Sequence, residues 1–210
     1  QVALVVRALG HGVHAEGKRA VGVNYLRGSA QPTIARARRE VLLCGGAIAS
    51  PQVLQRSGVG PAALLKGLGI PVVEDLPGVG QNLQDHLDIC TLVHCHQKIT
   101  YDQLSDILVG LRYLLGRKGP GSSNIAEAGA FIASRHAVDE RPDIQLHFIP
   151  AFLDDHGRNI LPGNGMTIHA CALRPESRGW IRLRSTDPLE TLSIEPNYLA
   201  EDYVRRVMIG

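Results

Sequence analysis

What this chain lacks narrows its class before any motif is read. None of its four cysteines, Cys44, Cys90, Cys95 and Cys171, is spaced as C-x-x-C, so they read as reduced and buried thiols. No apolar run approaches the roughly 18–20 residues that cross a membrane. No signal peptide opens the chain and no Asn-x-Ser/Thr acceptor occurs in it. A cytoplasmic protein without a transmembrane segment is the expectation. Charge of one sign is also missing: 22 basic against 20 acidic residues leave a net charge of +2. Without a clustered basic face, no nucleic-acid or polyanion partner is expected. Arg36, Arg38 and Arg39 read as the solvated face of a strand. There is no G-x-S-x-G nucleophile elbow, no internal repeat and no low-complexity tract.

What is present is ordinary globular material, with 44% hydrophobic residues and a mean hydropathy of zero. A chain of 210 residues buries a sizeable core as one large domain or two small ones. Apolar residues 2–6 suggest a strand, and residues 13–26 suggest two strands around a Gly-containing turn. Residues 28–32 read as a loop. Residues 41–44 form a continuous apolar run suited to a buried strand, broken by Gly45-Gly46. Ser50-Pro51 carries the signature of a helix start, with Ser as N-cap and Pro in the first turn. Pro61 opens a second helix that runs through Leu68, and residues 70–73 suggest a brief strand. Beyond Asn82, residues 89–95 read as a strand. Asp102 then caps a helix whose stripe is Leu104, Ile107, Leu108, Leu111, Leu114 and Leu115. Strands follow at residues 128–132, 144–149, 167–173 and 179–184, with residues 152–165 as a surface loop. In the last strand Trp180, Arg182 and Arg184 alternate with Ile181 and Leu183. Tyr203, Val204, Val207 and Met208 share one helical face. The expected class is α+β, a mixed first part of about 85 residues preceding a mainly antiparallel sheet with one long helix.

Several patterns imitate chemistry. Gly58-Val59-Gly60-Pro61-Ala62-Ala63 fits G-x-G-x-x-A, and Gly78-Val79-Gly80 begins like it. A working fingerprint needs a strand before it and a helix after it, so that pyrophosphate meets free helix amides. The first follows a helix and the second precedes no helical pattern, so both read as decoys. His94-Cys95-His96, with Cys90 nearby, hints at a metal, but strand alternation points residue 95 away from its neighbours. The spacing of a zinc site is missing, and the histidines read as structural. Asp85-His86 are adjacent and do not face one another as an acid–base pair. Residue chemistry alone leaves an α+β protein without a legible site.

A longer pattern is more specific. Residues 46–60 (GAIASPQVLQRSGVG) resemble the second signature of the glucose–methanol–choline (GMC) oxidoreductases at every constrained position. Gly69-Ile70-Pro71-Val72 and the run LPGVGQNLQDH at 76–86 are similar to the same family. So are Gly17–Val23, residues 38–41, residues 127–131, Arg141–Gln145 and the run SRGWIRLRS at 177–185, all in family order.

The resemblance implies an FAD-binding domain interleaved with a substrate domain on an antiparallel sheet. Residues 1–85 are then the later segments of the FAD domain and residues 86–210 the substrate domain, ending in a helix. It implies oxidation of the CH–OH group of choline or a related primary alcohol by hydride transfer to FAD. Gly45 and Gly46 are implied where the backbone passes the adenosine end of the cofactor, and Gly10 where a main chain usually carrying valine meets the adenine. Glu127 matches the glutamate that, in choline-acting members, faces a trimethylammonium group by Coulomb attraction. The family's pyrophosphate fingerprint and its catalytic histidine match nothing in these residues, so no catalytic residue and no metal ligand is assigned. The chain reads as an internal piece, inactive alone and without tight FAD binding of its own. The other open readings are a self-standing binding or assembly module that kept the fold, and a family member doing lyase chemistry.

Overall fold

A computed structural model describes residues 8–28 and 31–209; the apolar run at residues 2–6 and part of the 28–32 loop lie outside them. The fold is α+β, with antiparallel sheets and few helices. It begins with a hairpin, β1 (Ala8–Glu16) and β2 (Arg19–Arg27), closed by a turn in which Gly17 takes φ +61°. β3 (Thr33–Arg36) extends it to a meander. Then follow α1 (Gly46–Arg56), β4 (Val59–Gly60), α2 (Ala62–Gly67), β5 (Glu74–Asp75) and β6 (Gln81–Leu83), with β4 and β5 in parallel.

The next elements are β7 (Asp88–His94), α3 (Asp106–Gly116), β8 (Ala128–Ile132), β9 (Ile144–Ile149), the short hairpin β10 (Leu153–Asp154) and β11 (Asn159–Ile160), and β12 (Gly165–Ala172). They build an antiparallel sheet in the order β7-β12-β9-β8. The chain then forms β13 (Gly179–Arg182) and β14 (Ser193–Glu195), and ends its described part in α4 (Asp202–Ile209).

Two compact units result. The first holds the chain up to Gln84 together with Ser177–Asn197, and the second holds Asp85–Glu176 and the residues from Tyr198 onward. The return of Ser177–Asn197 departs from the two-part division read from the sequence. Its cause is β-pairing, because β13 hydrogen-bonds to β6 on one side and β14 on the other. In the first unit Leu65, Ile70 and Leu183 form a core flanked by Leu68, Val72 and Leu192. In the second, Val204 and Val207 of α4 pack on Ala172 of β12, with Ile144, Tyr203 and Met208 around them.

A polar side chain ties the first unit together. Gln55 is fully buried; its Nε2 donates to the Ile181 carbonyl (3.0 Å) and the Val79 carbonyl (3.3 Å), and its Oε1 accepts from the Leu183 amide (3.0 Å). Gly80 lies against the same spot at φ +83°, where a Cβ would stand 2.2 Å from the Ile181 carbonyl oxygen. The Gly78-Val79-Gly80 motif is therefore a packing device. Gly58 plays a similar part at φ +81°, with a Cβ position 2.3 Å from the Pro71 carbonyl.

Several expectations are corrected. α1 starts at Gly46, not after Ser50, so Pro51 lies inside the helix, where its missing N–H removes one backbone bond. Residues 41–44 form no strand and Leu42 is 75% exposed; no strand pairs with them among the described residues. Residues 70–73 are irregular, and the strand comes at β5. Asp102 does not cap α3, whose N-cap is Ser105. Its carboxylate instead accepts from the Thr100 hydroxyl (2.7 Å) and the Phe152 (2.6 Å) and Gly165 (2.9 Å) amides. All four thiols are free, but only Cys95 and Cys171 are buried; Cys90 is half-buried and Cys44 exposed. No described helix is long and apolar enough to cross a membrane.

Candidate functional site

In the first unit the predicted glycines sit at the start of α1 and on β1. Gly45 is the N-cap of α1 (φ −82°, ψ 4°), no side chain caps that end, and the first turn carries no acidic residue. The leading amides of a helix without such a cap are donors looking for an acceptor. Gly46 takes φ +74°, a left-handed conformation costly for any side chain, and a Cβ there would meet nothing within 4 Å. Glycine is thus required by the backbone turn, while the space beside it stays open. Gly10 faces Tyr25 across the hairpin at a bulge, with no positive φ and nothing within 4 Å of a built Cβ.

α1 is fastened to β1 by Ser57, whose hydroxyl accepts from the Val13 amide (2.7 Å) and donates to the Val53 carbonyl (2.5 Å). Along α1 a cavity of about 460 Å³ is lined by Ala47, Ser50, Pro51 and Leu54 on one side and by residues 79–84 on the other. That volume is in the range of small-molecule and cofactor sites. Asn82 borders it at φ +63°, a left-handed position that Asn tolerates better than most residues. Sequence reading did not single out this cavity. These lining residues fall within the runs 46–60 and 76–86, both quoted as family resemblance and not as a site.

Deeper in the same unit, the Nε and Nη2 atoms of Arg56 are buried without a hydrogen-bond partner among the described residues. Burial lowers the affinity of this guanidinium for its proton, and Asp187 opposes that shift. His11 is likewise lowered, by burial first and by the Arg56 charge second.

In the second unit Glu127 immediately precedes β8, its amide donating to the Phe148 carbonyl (3.0 Å). The carboxylate is exposed and accepts from the Tyr101 hydroxyl. Hydrogen bonds from Ser123 and then Tyr101 hold it below the usual carboxylate range, so it is an anion at neutral pH. β7 ends at His94, so Cys95 and His96 lie just beyond the strand; Cys95 is buried while His94 and His96 are exposed, and His94 packs edge-on against Phe152 at 5.7 Å. Asp85 accepts from its neighbour's backbone amide (3.0 Å) and from the Tyr198 hydroxyl, not from the His86 ring.

Residues 3–88 match the family described as GMC oxidoreductase. The oxygen-dependent choline dehydrogenase of Burkholderia cenocepacia is 50% identical over 202 residues, which cover 94% of this chain. That of Burkholderia multivorans is 49% identical over the same extent.

The chain belongs to the GMC oxidoreductase family.

Full-length GMC enzymes carry FAD. The chain spans about a third of the length of these curated relatives, 35% of each. Solved GMC folds superpose on it. The formate oxidase of Aspergillus oryzae does so with a TM-score of 0.83 at 23% identity, covering 96% of this chain and 41% of the oxidase. The FAD-dependent oxidoreductase of Chaetomium thermophilum gives a TM-score of 0.71 at 24% identity, covering 97% and 42%. At that identity the likeness establishes the fold.

Proposed function

We propose that this chain is part of an FAD-dependent GMC oxidoreductase that oxidises the CH–OH group of choline or a related primary alcohol. The observation that carries the reading is 50% identity to an oxygen-dependent choline dehydrogenase over 94% of the chain. The first unit is the cofactor side. Its residues fit the group on two grounds: α1 begins without a side-chain cap, and Gly46 turns the backbone with open space beside it. Gly45 and Gly46 would bring main chain close to the adenosine end, and Gly10 would offer a backbone contact to the adenine. When bound, FAD supplies the hydride acceptor.

The second unit is the substrate side. Glu127 supplies a fixed negative charge for the trimethylammonium group of choline, oriented by Tyr101. In this chain the carboxylate is exposed; once the rest of the enzyme closes it from water, its charge would attract a cation far more strongly than in bulk solvent. The catalytic base on the hydroxyl belongs to residues outside this chain, and the chain alone is inactive and does not hold FAD tightly. The buried Arg56 nitrogens and the exposed Leu42 and Leu43 fit this, the first lacking an acceptor among the described residues and the second an apolar surface to cover them.

The test is steady-state kinetics of the full-length enzyme on choline and on its uncharged carbon isostere, 3,3-dimethylbutan-1-ol. Glu127→Gln is expected to raise KM for choline about tenfold or more and leave the isostere nearly unchanged, as loss of a charge contact does. Equal losses on both substrates would remove Glu127 from substrate recognition.

A further inference from the structure

One cluster of the second unit is used by neither proposed role. Cys90 on β7 and His169 on β12 are direct cross-strand partners, and Asp88 lies two residues before Cys90 on the same face. The three side chains converge. His169 Nδ1 stands 2.6 Å from Asp88 Oδ2 and 3.1 Å from Cys90 Sγ, and Cys90 Sγ is 4.0 Å from Asp88 Oδ2. Asp88 and His169 keep 29% and 14% of their side-chain surface in contact with solvent, so the spot is sheltered but reachable.

A ring nitrogen offers one hydrogen or one lone pair, and so serves one partner well. Here a carboxylate and a thiol both close on the same Nδ1. Three different donor atoms within 4.8 Å of one another are what a cation needs and what a single hydrogen bond does not explain. With Zn–S near 2.3 Å and Zn–N and Zn–O near 2.0–2.2 Å, a tetrahedral ion separates its ligands by about 3.3–3.6 Å. The observed triangle reaches that by side-chain movements of less than about 1 Å, with both backbones held in the sheet ladder.

We propose that Asp88, Cys90 and His169 form a binding site for a borderline divalent cation, Zn²⁺ first. The donor set decides the class: hard Mg²⁺ and Ca²⁺ take oxygen ligands, whereas thiolate with imidazole selects zinc. Binding transfers the Cys90 thiol proton, and any proton on the coordinating His169 nitrogen, to solvent. Three protein ligands leave the fourth position to water or an external ligand, and the ion cross-links β7 to β12. Asp154 adds a second negative charge close to Cys90.

The test is titration of the purified, metal-stripped full chain with Co²⁺, followed by Zn²⁺ competition. One equivalent of Co²⁺ is expected to give a thiolate-to-metal charge-transfer band that Zn²⁺ abolishes. Cys90→Ser and His169→Asn, checked for folding by circular dichroism, are expected to weaken uptake more than about tenfold, since even outer-shell changes cost that much. Absence of the band in the folded wild type, or an unchanged band in Cys90→Ser, overturns the site. A second readout needs no variant: Zn²⁺ should block iodoacetamide labelling of Cys90, read by peptide mass, and a chelator should restore it. Labelling indifferent to Zn²⁺ also overturns the proposal.

Discussion

Gln55 is the residue on which the first unit turns. Replacing it with Leu strands two carbonyls and one amide in a buried place, each costing about 1–3 kcal/mol before relaxation. A loss of roughly 3 kcal/mol is expected, measured by urea denaturation. A loss under about 1 kcal/mol would mean that water replaces the side chain. Nothing in the sequence separated Gln55 from any polar helical residue, because its partners at positions 79, 181 and 183 come from distant parts of the chain. Glu127 and the Gly45-Gly46 pair were legible only as family resemblance. The structure adds what sequence could not, that Gly46 holds φ +74° and that Glu127 is oriented by Tyr101. The cluster of Asp88, Cys90 and His169 was illegible for the same reason as Gln55: its ligands lie about 80 positions apart, and only strand pairing joins them.

Among the elements, long periodic ones were read well. α4 falls where its apolar stripe places it and α3 takes up its own stripe from Ile107 on, with Leu104 left ahead of the N-cap Ser105; β8 and β9 match the expected bounds of 128–132 and 144–149. Helix starts fared worse. Ser50-Pro51 looks like a cap because local chemistry suits one, yet α1 begins at Gly46, with Gly45 and not Ser50 as its N-cap, where a left-handed Gly46 turns the chain. Residues 41–44 have the composition of a buried strand but pair with no described neighbour, and composition cannot supply a partner. At this scale Gly80→Ala is predicted to be damaging, since its Cβ would meet the Ile181 carbonyl oxygen where β13 comes alongside β6. The expected cost exceeds about 2 kcal/mol, from left-handed strain and a backbone clash together. A thermal melt within a degree or two of wild type would contradict it.

At the scale of the whole molecule, pH dependence follows from three groups. Burial alone would raise the Asp143 carboxyl, but the Ser134 amide and hydroxyl and the Tyr203 hydroxyl bring it below the usual range. Asp102 is lowered in the same way, against burial, by the Phe152 and Gly165 amides and the Thr100 hydroxyl. Their contribution is therefore present above the unfolded carboxylate value near 4 and fades as pH falls through the folded values. Asp143→Asn should flatten the acid limb of a stability-versus-pH curve; an unaltered limb would contradict this. Tyr198 works at the other end. Burial, then the hydrogen bond to Asp85 and the charges of Asp85 and Asp88, push it up to about 12. Its contribution is full below the unfolded value near 10 and is lost as pH rises toward about 12. Tyr198→Phe should remove the highest step of the tyrosinate titration, followed in the ultraviolet; persistence of that step would assign it elsewhere.

The central claim is that these residues serve a flavoenzyme acting on choline or a close primary alcohol. Anaerobic addition of choline to the purified full-length protein, with flavin absorbance as the readout, tests it most directly. The account predicts an oxidised flavin spectrum that bleaches on addition of choline or a related primary alcohol. A folded protein without flavin, or a bound flavin that none of these alcohols reduces, would contradict it.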